Sequence, residues 1–393
     1  MALLVQEEEA GQSSPVISDK SSWQLSGNAL AELNIGRSNA CAFLYGLGDA
    51  YTYRLEPVLS LEGIARRSGS RSSLRCAALA TFVPERDTFD IEDMHLVLNE
   101  LLIAFRPAAW VQLTIGKYSL GWGYGMFRNP ANHFDRERDP HNLDAVREGV
   151  LLGEITVSPF PQLICNLVLQ PDLQPSSSSG ALKLEWCPSE LPIDLFGALH
   201  VLRGDDERFG LGIRGNIGPV DCRLEASIDP RGTREILRSD GTLSSKDGTL
   251  YSGIAGCSFL TRHNLFCAFE YYVTSGYSSD EWSAFHQLTT VSTDDRESAY
   301  TDIIAGSWDF FMRRNYAYLL VTQSEIFSRF SLQYLGIAIL DDPSVQSTVS
   351  IIYQRSSIKL EGSLTHNTYD SEDALLGYLP NKWSGMLRLR YYF

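Results

Sequence analysis

The last eleven residues read Trp383-Ser384-Gly385-Met386-Leu387-Arg388-Leu389-Arg390-Tyr391-Tyr392-Phe393. Trp383, Gly385, Leu387, Leu389, Tyr391 and Phe393 fall in one phase, and Ser384, Met386, Arg388, Arg390 and Tyr392 in the other. Successive strand side chains point to opposite faces, so one face is apolar and the other carries two arginines. Aromatics stand at both ends of the apolar face. A tilted strand of about 9–11 residues crosses the hydrocarbon of a bilayer, with aromatic side chains at the two interfaces. The stretch has that length and that placement. Taken alone, it also fits an amphipathic strand on a soluble sheet.

The rest of the chain has to decide between these. Its 393 residues suit two or three soluble domains or one large closed sheet. A net charge of -15 argues against nucleic acid as a partner. Eighteen consecutive apolar residues occur nowhere, so no transmembrane helix is expected. The start, Met1-Ala2-Leu3-Leu4-Val5, runs into Glu7, Glu8 and Glu9 without the basic and apolar regions of a signal peptide. If the protein is exported, its signal is expected to have been removed from this sequence. The seven cysteines form no CxxC, and five of them (76, 165, 222, 257, 267) sit in apolar strand phases, as small hydrophobic residues do.

Alternation recurs along the chain after a polar leader, residues 1–21. Trp23 to Ile35, Tyr51 to Arg66 and Leu74 to Phe82 read as strands. Asp90 to Arg106 is assigned as a strand as well, although it is more uniformly apolar and a few of its residues fall in helical phase. In the middle, Val220, Cys222, Leu224, Ala226 and Ile228 oppose Asp221, Arg223, Glu225 and Ser227. Later strands are expected at Tyr251–Phe259, Leu265–Thr274, Tyr300–Phe310, Tyr316–Glu325, Phe330–Leu340, Val345–Tyr353 and Ile358–Leu364. Short turns such as Gly218-Pro219 alternate with longer connections, for example Asp229–Asp247 and His366–Lys382. Both termini belong at the short-turn end, so the strand number should be even. The segments come to about nineteen, and a strand at Ser283–Val291 would make about twenty. The expected fold is therefore all-β: one transmembrane antiparallel up-and-down β-barrel over residues 22–393. It has about 18–20 strands, short periplasmic turns, longer extracellular loops and an aqueous lumen.

The longest irregular region spans residues 119–147. Gly116 just before it and Gly121, Gly123 and Gly125 within it allow sharp bends around Trp122, Tyr124 and Phe127, and Asn129-Pro130 turns the chain. Leu98-Asn99-Glu100, a turn, Ile115-Gly116-Lys117, Trp122-Gly123 and Asn129-Pro130 together resemble the alginate-export and phosphate-selective porin superfamily. Gly-Lys stands here where Gly-Arg or Gly-Gln is more usual. The closing strand likewise resembles that of bacterial outer-membrane barrels, in which a terminal aromatic such as Phe393 serves as an assembly signal. The resemblance implies an outer-membrane channel whose loops fold inward and narrow the lumen. It implies barrel assembly machinery, outer-membrane lipids and small hydrophilic solutes as partners.

Charged side chains at a constriction set a local field and so bias permeation. The loop candidates are Arg128, Asp135, Arg136, Glu137, Arg138 and Arg147. The lumen-phase candidates are Arg54, Glu62, Arg66, Arg214, Arg223, Glu225, Lys359, Glu361, Arg388 and Arg390. Counted over the whole polar phase, basic residues exceed acidic ones by ten to seven, which favours a weakly anion-tolerant lumen. Neither HExxH nor GxSxG occurs, the histidines are scattered, and neither an enzyme nor a cofactor is expected. The function expected is passive diffusion. A transporter of hydrophobic ligands such as fatty acids, or a surface-exposed β-rich adhesin, is the alternative.

Overall fold

The computed structural model describes residues 20–38, 51–68, 73–84, 94–134, 149–171, 178–201, 207–237, 243–276, 278, 281, 313–370, 376 and 381–392. Among them are eighteen strands. The first nine are β1 (Lys20–Ser38), β2 (Tyr51–Ser68), β3 (Ser73–Pro84), β4 (Met94–Ala108), β5 (Val111–Tyr118), β6 (Val150–Phe160), β7 (Leu163–Gln170), β8 (Ser179–Trp186) and β9 (Ile193–Val201). The second nine are β10 (Glu207–Ile217), β11 (Val220–Leu237), β12 (Leu243–Leu260), β13 (Leu265–Thr274), β14 (Asn315–Ile326), β15 (Phe330–Ile339), β16 (Ser344–Arg355), β17 (Ile358–Tyr369) and β18 (Asn381–Tyr392). Each pairs antiparallel with the next in sequence. β1 pairs with β2 and also with β18, so the sheet closes.

The closing seam follows from the terminal alternation. Leu387 is registered to Leu33, Leu389 to Ala31 and Tyr391 to Ala29. On the other edge of β18, Leu389 meets Leu360 and Arg388 meets Glu361. A slip of one residue would turn every arginine of β18 outward, and this fixes the register. Phe393 and the leader up to Asp19 lie outside the described residues.

The exposure pattern is inside out. On β16 the inward Ser350 is 5% exposed while its neighbour Ile351 is 56% exposed. On β11 the inward Glu225 is 3% exposed and Leu224 54%. Leu113, Ile115, Leu182, Leu184, Leu319, Val349, Leu364 and Leu387 continue this exposed apolar band around the barrel. Trp110, Phe160, Trp186 and Phe330 rim it beside the short turns. Water would penalise such a surface, whereas lipid solvates it and leaves the backbone no hydrogen-bond partner except the next strand.

The strand expected over Asp90–Arg106 is β4, with its two edges paired to β3 and β5. Two expectations need correction. The loop expected over Asp229–Asp247 is mostly ladder. A bulge between Asp229 and Gly232 absorbs Pro230, which cannot donate, and pairing resumes to Leu237↔Leu243. Arg329, one of the ten basic residues counted in the polar phase, stands instead in the turn between β14 and β15. The expected strands Ser283–Val291 and Tyr300–Phe310 fall outside the described residues, and β13 pairs directly with β14. We expect Val349→Arg, in the middle of the apolar band, to lower stability by about 2–4 kcal/mol in reversible unfolding from lipid vesicles. A neutral Val349→Arg would contradict the outward placement.

Candidate functional site

The segment that follows β5 sits inside the lumen. Its described part, Ser119–Phe134, reaches as far as β14 and returns to β9. Two carboxylates of the barrel wall hold its backbone. Glu225 of β11 accepts from the amides of Tyr124 (2.7 Å) and Ala131 (2.7 Å). Glu270 of β13 accepts from Met126 (2.8 Å), Phe127 (3.2 Å) and Arg128 (3.0 Å). A loop has no ladder to satisfy its amides, and these five would otherwise be left to water or unpaired. Hydrogen bonds to a charged acceptor are worth about 1.5–3 kcal/mol each. Arg223 stands 3.8 Å from Glu270 and 3.7 Å from Asp221, so cationic charge offsets the inward carboxylates.

Side chains complete the attachment. Phe127 stacks on Tyr318 of β14 with centroids 5.0 Å apart. Tyr124 meets Phe196 edge-on at 4.9 Å and donates its hydroxyl to Glu185 at 3.3 Å. Burial, reinforced by Glu185, raises the Tyr124 phenol above its ordinary range, so it remains a donor. Trp122 packs against Phe134 and His200, and the Lys183 ammonium lies 5.8 Å from its ring and 5.0 Å from that of Phe196. His133 packs edge-on against His200 at 4.7 Å, and its Nδ1 lies 3.4 Å from Arg208. Burial, with His200 and Arg208 beside it, lowers His133 to about 3, so the ring is neutral and Arg208 is the donor.

Two glycines make the path possible. Gly123 has φ 96°, and a Cβ there would come within 2.8 Å of Glu225 Oε2. A Cβ on Gly125 would collide with the Arg128 carbonyl. Asn129-Pro130 makes the expected turn, closed by Asn132 N–H donating to the Asn129 carbonyl at 3.0 Å.

The candidate residues divide as follows. Arg128 is buried beside Tyr318 in the lumen loop. Asp135, Arg136, Glu137, Arg138 and Arg147 lie outside the described residues. Arg54, Glu62 and Arg66 are on β2, in register rows with Asn34, Ser26 and Ser22 of β1, and only their backbone is described. Arg214 pairs with Asp221 at 2.9 Å. Lys359 and Arg388 flank Glu361 at 3.8 and 3.4 Å, and Arg390 is registered to Lys359. Arg223 and Glu225 are clamp components as well as lumen residues. The sequence reading left Glu270, Trp122, Lys183, His133 and His200 off its site list. The signal for Glu270 was present: it is the lone charge in Phe266-Cys-Ala-Phe-Glu-Tyr-Tyr272. Among the described residues, no group of three or more His, Cys, Asp and Glu could hold a metal.

No protein-family model matches the chain, and no curated protein does. Solved structures do. The BenF-like porin from Pseudomonas fluorescens Pf-5 aligns at TM-score 0.57 and 9% identity, covering 95% of this chain and 98% of that one. OpdL of Pseudomonas aeruginosa aligns at 0.57 and 10%, with the same coverage. OccK2 (OpdF) of the same organism aligns at 0.53 and 11%, covering 95% and 97%. The fold is that of a porin β-barrel. At these identities the likeness concerns architecture alone, and the clamp has to be judged on this chain's own residues.

Glu270→Ala is expected to free the loop. Single-channel conductance should rise, and protease should cut within 119–134 while the barrel keeps its heat-modifiable gel migration. Glu270→Gln should fall between, since one carbonyl oxygen replaces two acceptors. Unchanged conductance and protection in Glu270→Ala would contradict the clamp.

Proposed function

We propose that the protein is an outer-membrane porin that passes small hydrophilic solutes by passive diffusion, with no catalytic step. The observation that carries this is a closed barrel with an apolar exterior and a charged interior, crossed by a loop bonded to the far wall. The exposed apolar band supports a membrane location, and export to the outer membrane is part of the proposal. Lipids, the assembly machinery and a signal at Phe393 belong to the same reading, as does the division into a leader (1–21) and a barrel (22–393). Placement within the alginate-export and phosphate-selective superfamily is the finer proposal. It is supported by the motif from Leu98-Asn99-Glu100 to Asn129-Pro130, whose glycines and Asn-Pro turn shape the lumen loop.

Selectivity follows from how the charges pair. Lys183–Glu185, Arg208–Asp229 and Arg214–Asp221 are close ion pairs at 2.8, 2.8 and 2.9 Å, which mute one another's field. Around Glu361, Lys359, Arg388 and Arg390 place three cations with one carboxylate on two adjacent strands. This supports a weakly anion-tolerant lumen narrowed by the loop that follows β5. Transport of hydrophobic ligands is less favoured, because ion pairs line the inward phase, and an adhesin has no use for a loop bonded across the lumen.

Liposomes carrying the protein should swell in small sugars, and planar bilayers under a salt gradient should show a reversal potential near zero or slightly to the anion side. Arg390→Glu should move it toward cations. Absence of swelling would overturn the porin reading, and strong cation selectivity of the wild type would overturn the charge assignment.

A further inference from the structure

Cys222 of β11 and Cys257 of β12 are register partners. Both are free thiols, half-buried. They share the outward face: Cys222 is in phase with the exposed Leu224, and Cys257 with the exposed Tyr251 and Phe259.

Two hydrogen-bond phases fix the kind of pair they form. Toward β13, Ser275 N–H donates to the Tyr251 carbonyl and Thr261 N–H to the Leu265 carbonyl, both at 2.9 Å. Residues 251, 257 and 261 are in one phase, so the backbone groups of Cys257 also point to β13. On β11, the tight turn at Gly218-Pro219 closes on the pair Ile217↔Val220. The backbone groups of Val220, and of Cys222 two residues on, therefore point to β10. Both strands agree that Cys222 and Cys257 face each other as a non-hydrogen-bonded pair. Such pairs bring Cα atoms to about 4.5 Å, the closest approach in an antiparallel ladder. That lies within the roughly 4.4–6.8 Å that a disulfide spans. Cys267 is registered to Phe259 and so lies diagonal to Cys257, where neighbours are roughly 7–8 Å apart, farther than a direct partner.

We propose that Cys222 and Cys257 form a cross-strand disulfide in the mature barrel. The compartment rests on the outer-membrane reading, since export passes the chain through an oxidising space. The oxidant is a dithiol–disulfide carrier or glutathione disulfide. One cysteine thiolate attacks the oxidant's disulfide and expels a thiol, and the second thiolate then displaces the remaining oxidant sulfur. Two protons and two electrons pass to the oxidant, which leaves as two thiols, and one Sγ–Sγ bond is made. The bond ties β11, which carries Arg223 and Glu225, to its neighbour. A slip of one residue there would turn Glu225 out of the lumen.

The test uses the full-length folded protein in detergent, treated with glutathione disulfide and then alkylated. Non-reduced peptides should contain a Cys222–Cys257 link, with two fewer alkylated thiols than in the reduced protein. In Cys222→Ser, which keeps heat-modifiable migration, Cys257 should remain alkylated. The same linked peptide is expected in protein extracted from the cell envelope. Full alkylation of both thiols after oxidation, or a Cys257–Cys267 link instead, would overturn the pairing and leave the porin reading untouched. A link that forms in the purified protein but is absent from cells would overturn it as a native bond and count against the outer-membrane placement.

Discussion

Backbone amides and carbonyls surrounded by lipid have no partners except one another, and the closure of the barrel and the facing of its side chains follow from that constraint. A strand edge left open in hydrocarbon would expose a row of unpaired groups at several kcal/mol each. The chain avoids this by returning β18 to β1. Closure then fixes which side chains look inward. Once Leu387 and Leu389 take the lipid side, Arg388 and Arg390 have only the lumen.

The loop inside meets a different condition. Past the end of β5 it has no neighbouring strand, and its amides go either to water or to acceptors on the opposite wall. Glu225 and Glu270 supply them, and each carboxylate binds more than one amide. Aromatic contacts from Trp122, Tyr124 and Phe127 fill the space the backbone leaves. A segment held this way is fixed against the opposite wall rather than loose, because its position depends on several bonds that must break together.

Period-2 alternation made the fold legible in the sequence, since exposure to lipid on one side and lumen on the other repeats in nearly every strand. It failed where backbone pairing overrides local signals. Pro230 and Gly232 read as a loop although a bulge carries the ladder past them. The candidate site was only half legible. Glycine spacing and Asn129-Pro130 announced a shaped loop, but what the loop touches depends on strands a hundred or more residues away, such as Glu225 from Tyr124. A single carboxylate in an apolar strand marks a special position without saying which partner it serves.

The most direct measurement is hydrogen–deuterium exchange at the amides of Tyr124, Met126, Phe127, Arg128 and Ala131 in the folded protein in lipid nanodiscs. The account predicts protection like that of the neighbouring β5 amides, lost at Met126–Arg128 when Glu270 is replaced. Exchange at the rate of an exposed loop in the wild type would contradict it.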